Sequence, residues 1–481
     1  MKKIDYFLLL VLIVLACGLR LYKIDTPLSD LHSWRQADTA AVARNYARNG
    51  IDLLKPRYDD LSSIQSGIEN PEGLRYVEFP MYNAIVGAFN RYLPITSITI
   101  YGRLVSAVFS LITLACLYYL LLVEKNRVAA FFGSLLFASF PYFVFFSRTV
   151  LPETTAVSFM MLSLIALYAH LTKNQPLWRS YLLYALSIVF YACSILVKPT
   201  TIFYSIAIAY LFLSTLKLKA FTTWKTYAFV IVGLLPFAWW RMFIQQFPAG
   251  IPASDWLFTT VNTFEGPKNI FFKPAFFRWM FMERIGQIML GTYLAGVATI
   301  GAIAKQKRFF LLSIAASAMV YMFVFQGGNV QHEYYQIIMF PGIAVMVGLG
   351  VAALHDTRVV HKMLFYPAML AIFIVSFLFS WYRVEGYYHN PADLTSMAEL
   401  IDSFTKPTDR IVTDRSGDTT LLYLADRKGA PAIYKDIPTL EEMGYSYLVT
   451  DNDDLSGQLK EQDYDILFQN DQFSLIKLKN R

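Results

Sequence analysis

Charge is scarce in this 481-residue chain: 16% of its residues are Asp, Glu, Lys or Arg, against about 25% in a soluble globular protein. Cysteine is scarcer still. Cys17, Cys116 and Cys193 are the only three, each inside an apolar run, which leaves no disulfide framework. There is no Cys/His spacing for zinc, no Ser/His/Asp constellation and no Walker-type loop; Arg427-Lys428-Gly429 alone is too little to cradle a phosphate. ATP-driven pumps and soluble-type hydrolases are therefore without support. No internal repeat is evident. The net charge of +7 is no nucleic-acid footprint either, because the basic residues fall largely in short loops between apolar runs.

Apolar residues are abundant. Hydrophobic residues reach 56% and the mean hydropathy is +0.42, values of a polytopic membrane protein. A bilayer-crossing helix needs about 17–25 such residues. Runs of that kind lie near 5–22, 102–123, 128–147, 153–171, 181–197, 200–216, 226–245, 284–304, 309–326, 336–354 and 363–382, eleven in all. Met1-Lys2-Lys3 and the run after it lack a clean small-residue cleavage site and read as an uncleaved first span.

With eleven spans, Lys2/Lys3, Lys125/Arg127, Lys173/Arg179, Lys217/Lys219/Lys225, Lys305/Lys307/Arg308 and Arg358/His361/Lys362 share one side. The positive-inside rule makes that side the cytoplasm. The outer side then receives a long first loop (23–101), the loop at 247–284 with Trp256 and Trp279 at headgroup level, and everything after Tyr382. From about Pro391 charges rise and long apolar runs stop. Strand-like Arg410–Thr413, Tyr445–Thr450 and Phe473–Leu478 alternate with helical 396–404, 419–426 and 439–443. The expected organisation is a membrane domain over 1–387 and a small extracytoplasmic α/β domain over 388–481.

The first outer loop opens on Asp30-Leu31-His32-Ser33-Trp34-Arg35-Gln36-Ala37-Asp38. Alanine-rich and free of Pro and Gly from Trp34 to Asn49, the stretch reads as a helix closed by Gly50. On it Arg35, Gln36 and Asp38 lie within one turn. Phe79-Pro80-Met81-Tyr82 then leads a helix too short to span, ending near Tyr92. Other outer-face features are Glu153 after Pro152, Lys198-Pro199, Arg241 after Trp239-Trp240, and Gln331-His332-Glu333-Tyr334-Tyr335-Gln336. Glu153 suits a helix N-terminus and Lys198 suits snorkelling to the interface. Both equally suit chemistry at a lipid phosphate. Carboxylates, with or without a divalent metal, can deprotonate an acceptor, while Lys and Arg hold a phosphate leaving group.

The order of these parts resembles the GT-C membrane glycosyltransferases, specifically the protein O-mannosyltransferase and lipid A aminoarabinose transferase group (glycosyltransferase family 39 and its relatives). The residues that carry the likeness are Ala43-Arg44-Asn45 through Gly50, Phe79-Pro80-Met81-Tyr82, Arg103-Leu104-Val105-Ser106-Ala107, Glu153 and Lys198-Pro199. The family's Asp-Glu pair would fall on Arg35-Gln36, so its carboxylate does not carry over by position. Asp38, one turn later, takes first place and Asp30 second. Glu78 stands where the aminoarabinose transferases have a Lys.

The resemblance implies an all-α polytopic GT-C protein of about eleven transmembrane helices in the bacterial cytoplasmic membrane, with its N-terminus inside. It implies transfer of a sugar from a polyprenyl-phosphate carrier to an extracytoplasmic lipid, glycan or protein. The candidate catalytic residues are Asp38, Asp30 and Glu153. Candidate substrate contacts are Lys198, His332, Tyr335, Arg35, His32, Glu78 and Arg241. Asp38 and Glu153 would hold any divalent Mg or Mn. A transporter or flippase for lipid-linked saccharides, or a scaffold of a polysaccharide complex, are the rival classes; against transport stands the shortage of charge within the spans.

Overall fold

The computed structural model describes residues 1–254, 273–357 and 361–479. Trp256 and Arg358 lie outside the described residues. The chain divides into two compact units. One comprises Met1–Ile24, Arg103–Trp240 and Ser254–Tyr388; the other comprises Asp25–Gly102, Arg241–Ala253 and His389–Arg481. The long first loop and the C-terminal segment thus form one unit, where the sequence reading assigned them to separate domains.

The first unit is helical, and each of the eleven apolar runs carries helix. Among the described residues seven helices are long and apolar enough to cross a membrane: Ile98–Glu124, Glu153–Thr172, Leu177–Val197, Pro199–Phe221, Trp224–Ile244, Glu333–Thr357 and Met363–Phe404. An eighth is added if Pro274–Met289 and Tyr293–Ile303, bent through 115°, count as one span. The other three runs differ for local reasons. The Lys3–Arg20 helix keeps Asp5 and Arg20 besides its lysine, Phe310–Val324 has 15 residues, and the run at 128–147 is divided into Arg127–Ser139 and Pro141–Phe146.

That division follows from Pro141, which has no N–H to continue the ladder and pushes Phe140 into extended backbone. The carbonyls left open are collected by the fully buried Arg20. It donates to Ala138 O at 2.9 Å, Phe137 O at 3.1 Å and Ser110 Oγ at 2.7 Å. A cation at a helix C-terminus is also favoured by the helix dipole.

At the centre of this unit every residue from Phe340 to Ala352 is buried. Small residues let neighbouring backbones approach it, as membrane helices require. A Cβ on Gly301 would stand 1.8 Å from Met346 O, and one on Gly350 would stand 1.9 Å from Val297 O.

The second unit begins with the Ser33–Asn49 helix, closed as expected by Gly50 at φ 95°, its N–H bonded to Tyr46 O. Met81–Tyr92 packs across it, with Gly87 close to the Ala43 carbonyl. The C-terminal segment folds as a five-stranded mixed sheet: β1 (Arg410–Thr413), β2 (Lys428–Ala430), β3 (Tyr445–Thr450), β4 (Asp465–Gln469) and β5 (Ser474–Lys477), in the order β2-β1-β3-β5-β4. β1 pairs in parallel with β2 and β3, while β5 runs antiparallel to β3 and β4. Alternation sends Ile411, Val449 and Leu475 to one face, under the helices at Ala392–Phe404 and Thr420–Leu424. Val412, Leu448 and Ile476 face the other layer with Leu440 and Leu459. At the β2 edge the first loop adds a parallel bridge: Gly429 N–H donates to Asp59 O at 2.9 Å, and Leu61 N–H to Gly429 O at 2.7 Å.

Gly301→Ala should lower the stability of the detergent-solubilised protein by about 2 kcal/mol or more, because backbone must move to admit the methyl group. Gly296→Ala, on the same helix with open space around its Cβ, should be neutral or slightly stabilising. Equal thermal shifts in the two variants would overturn the close-packing account.

Candidate functional site

In the second unit, the Ser33–Asn49 helix carries two of the charged candidates, Arg35 and Asp38, on its first two turns, and both are buried. His32 is its N-cap residue, in left-handed backbone with φ 57°. Arg35 pairs with Glu78 and donates to Thr39 Oγ1 at 3.3 Å. Gln36 Nε2 donates to Asp30 Oδ1 at 2.7 Å, so Asp30 is drawn to the helix from upstream. Asp38, 1% exposed, has both oxygens engaged. Arg75 Nη2 lies 2.5 Å from Oδ2, and the Thr419 hydroxyl donates to Oδ1 at 2.7 Å.

Two turns further on, Arg44 meets Asp59 Oδ2 at 2.5 Å and Asp426 Oδ1 at 3.0 Å, with its guanidinium 4.5 Å from the Tyr423 ring centroid. Asp60, fully buried, accepts from Ser62 N–H at 2.8 Å, from the Ser62 hydroxyl at 2.6 Å and from Tyr58 OH at 3.2 Å. Burial pushes the Asp38 carboxyl above the usual carboxylate range, against the pull of Arg75, Thr419 and Arg35. Burial pushes Asp59 up too, opposed by Arg44. Asp60 rises to about 6 through burial, despite the Ser62 hydrogen bonds.

The first unit brings together Glu153, Lys198 and Tyr335. Lys198 ends the Leu177–Val197 helix because Pro199 cannot continue it. It does not stand exposed at an interface: at 5% exposure its Nζ lies 2.6 Å from Glu153 Oε1 and 5.0 Å from the Tyr335 ring centroid. Glu153 opens the Glu153–Thr172 helix and is fully buried. Each charge sits where its helix dipole favours it, an anion at an N-terminus and a cation at a C-terminus. The contact to Oε1 is an ion pair without hydrogen-bond geometry, and among the described residues Oε2 has no hydrogen-bond partner. His332 stacks on Tyr334 at 5.4 Å between ring centroids, and Glu333 pairs with Arg284. Arg241, half-buried, is in the last turn of Trp224–Ile244 and belongs to the second unit.

Several residues of these clusters escaped the sequence reading: Arg75, Asp59, Asp60, Tyr58, Arg284 and Thr419. Tyr58-Asp59-Asp60 was a legible signal, an acidic pair beside an aromatic in a stretch otherwise rich in turn residues. Nothing local marks Thr419.

The two residues expected to hold a divalent metal, Asp38 and Glu153, each already face a cation. Asp38 spends its oxygens on Arg75 and Thr419, and Glu153 faces an ammonium through Oε1. Among the described residues no three His, Cys, Asp or Glu side chains group as a metal would require.

Apolar helices, a long first loop with a charged helix, and a small mixed sheet at the C-terminal end make up the fold of the GT-C membrane glycosyltransferases. Residues 80–240 match the sequence model of the dolichyl-phosphate-mannose-protein mannosyltransferase family. The chain is similar to ArnT from Cupriavidus metallidurans bound to undecaprenyl phosphate, with a TM-score of 0.69 at 12% identity over 97% of each chain. It is similar to the Archaeoglobus fulgidus oligosaccharyltransferase in complex with Zn and sulfate, at TM-score 0.59 and 13% identity over 92% of this chain and 67% of that one. A structure of AglB from the same organism with an inhibitory peptide and a dolichol-phosphate gives TM-score 0.54 at 12% identity, covering 93% and 70%. No curated protein matches the chain in sequence.

Two tests follow from the buried charges. The folded value of Asp60 is raised above 3.8, so its contribution to stability is full below about pH 4 and lost as pH rises through about 6. Asp60→Asn should remove about 3 kcal/mol of that pH dependence from unfolding measured between pH 4 and 7. An unchanged slope would show that Asp60 is charged throughout. Lys198→Met leaves Glu153 buried beside no cation and should cost about 3–5 kcal/mol. Adding Glu153→Gln should return most of the loss in thermal unfolding; a double variant no more stable than Lys198→Met would mean that charge is not the cause.

Proposed function

We propose that this protein is an inverting glycosyltransferase that takes a sugar from a polyprenyl-phosphate carrier and passes it to an extracytoplasmic lipid, glycan or protein. The observation that carries this reading is the likeness over 97% of both chains to a structure holding undecaprenyl phosphate. The buried Glu153–Lys198 pair adds an ammonium in an apolar setting, where a cation acts strongly on a phosphate. The location is the bacterial cytoplasmic membrane, N-terminus inside and C-terminal segment outside, supported by the alternation of basic loops.

In this reading Lys198 neutralises the charge that develops on the departing carrier phosphate, with Tyr335 beside it. Glu153 is the counter-charge that keeps the ammonium neutralised until an anion arrives. Asp38 takes the proton of the acceptor. A carboxyl raised by burial is a stronger base than a solvated one. The Arg75 guanidinium holds it ionised and oriented. Asp30, reached through Gln36, is the second candidate for the same role. His32, Arg35, Glu78, His332 and Arg241 are substrate contacts in this reading. No step is assigned to a metal in this reading, in which Asp38 Oδ2 and Glu153 Oε1 each face a cation.

Turnover separates this reading from transport or scaffolding: purified protein given a polyprenyl-phosphate sugar and acceptor should release polyprenyl phosphate. Asp38→Asn should lower kcat by about a hundred- to ten-thousand-fold. Because that change also strips Arg75 of its counter-charge, folding is checked in parallel, and Asp38→Asn/Arg75→Met supplies a charge-balanced control. Near-normal turnover in Asp38→Asn, Asp30→Asn and Glu153→Gln alike would overturn the roles given to these carboxylates.

A further inference from the structure

The C-terminal segment reaches the first-loop helix through residues 419–426. Thr420 Oγ1 donates to Ser33 Oγ at 2.9 Å, Arg44 donates to Tyr423 O at 2.8 Å, and Arg48 holds both oxygens of Asp426 at 2.8 and 2.6 Å. Tyr423 OH lies 3.0 Å from Thr99 Oγ1. Ser33, Trp34, Asp38, Arg44 and Arg48 recur at helical spacing, so the stretch lies along the Ser33–Asn49 helix rather than touching it at a point. Within that seam Thr419, 2% exposed, is the residue that touches the carboxylate. Its hydroxyl has one proton and two neighbours, Asp38 Oδ1 at 2.7 Å and Trp34 O at 3.2 Å. The nearer and charged acceptor takes it.

We infer that Thr419 is a positioning residue for Asp38, so that the α/β domain completes the acidic site by fixing which Asp38 oxygen is left to act. The inference rests on the reading of Asp38 as the group that takes the acceptor's proton. With Oδ1 held by the hydroxyl, Oδ2 faces Arg75, whose guanidinium is itself stacked 4.7 Å from the Tyr58 ring centroid. A substrate hydroxyl therefore meets one defined oxygen beside one defined cation. The groups that bear on Asp38 are Arg35 on its own helix, Arg75, Tyr58, Asp59 and Asp60 from the first loop, and Asp418 beside Thr419. Of these segments only the one holding Asp418 and Thr419 belongs to the C-terminal domain. A domain that comes away from the helix would take the Thr419 proton with it and leave Asp38 both less oriented and harder to ionise.

The test follows the protonation of Asp38 in the full-length protein, by the infrared carboxyl band that disappears in Asp38→Asn. Thr419→Val should move the midpoint of that band upward by about one pH unit, since a hydrogen bond to the charged form has been lost. Thr419→Ser should return it to the wild-type position. Thr420→Ala removes a docking contact but leaves Asp38 its donor, and should leave the midpoint in place; Thr419→Ala replaces the valine variant if valine prevents folding. A midpoint unmoved by Thr419→Val or Thr419→Ala, or moved equally by Thr420→Ala, overturns the inference. Turnover is read on the same variants. If the acid limb of kcat moves with the band, rate at a pH on that limb falls about tenfold and the inference extends to the reaction. A band that moves while the acid limb stays fixed leaves the positioning of Asp38 standing and removes Asp38 as the base.

Discussion

A charge taken out of water costs several kcal/mol unless an opposite charge or a full set of hydrogen bonds accompanies it. This chain has few charges and buries many of those it has, so the partners of those charges govern how its segments lie. Arg20 binds the open carbonyls where Pro141 interrupts a helix. Lys198 and Glu153 hold the ends of two neighbouring helices together. In the second unit Asp38 binds Arg75 and Arg44 binds Asp59, which ties the middle of the first loop back onto its own helix. Apolar packing then needs only to fill the space between these fixed points, and glycines such as Gly301 and Gly350 let it do so at backbone contact.

Under the proposed function the same constraint prepares the protein for chemistry. A buried ion pair is a poor source of stability compared with well-packed apolar residues of the same volume. Under the proposed function its use lies in holding, within each unit, a cation beside a carboxylate before any ligand arrives, so that little reorganisation remains to be done when charge develops. Burial raises the carboxyls of Asp38, Asp59 and Asp60 above the usual carboxylate range. Positive charge is supplied at the clusters by Lys and Arg side chains.

The joining of the first loop to the C-terminal sheet has a backbone basis as well as an ionic one. Gly429 exchanges main-chain hydrogen bonds with Asp59 and Leu61, which closes the β2 edge that would otherwise stand open. A Cβ at Gly429 would stand 1.7 Å from Ile411 O, so the strand can approach its neighbour only with glycine there. The small α/β domain therefore shares a sheet edge, an ion-pair ladder and a hydroxyl with the first loop.

Much of the fold was legible in local pattern. Apolar runs of bilayer length announced the helices, the alanine-rich stretch closed by Gly50 announced Ser33–Asn49, and alternation announced β1 and β3. β2 and β4 escaped: one has three residues and the other is a half-exposed edge, so neither has enough pattern of its own. The interruption at Pro141 and the 115° bend after Met289 also separated what hydropathy alone reads as continuous runs. Asp38, Glu153 and Lys198 were marked by polarity in an apolar chain, which is a local property. Their partners were not. Arg75 lies 37 residues from Asp38 and Thr419 lies 381 residues away, and no periodicity links residues so far apart. Which charges leave water together depends on contacts that exist only once the chain has closed, so the sequence determined the candidates and the tertiary structure alone decided how they pair.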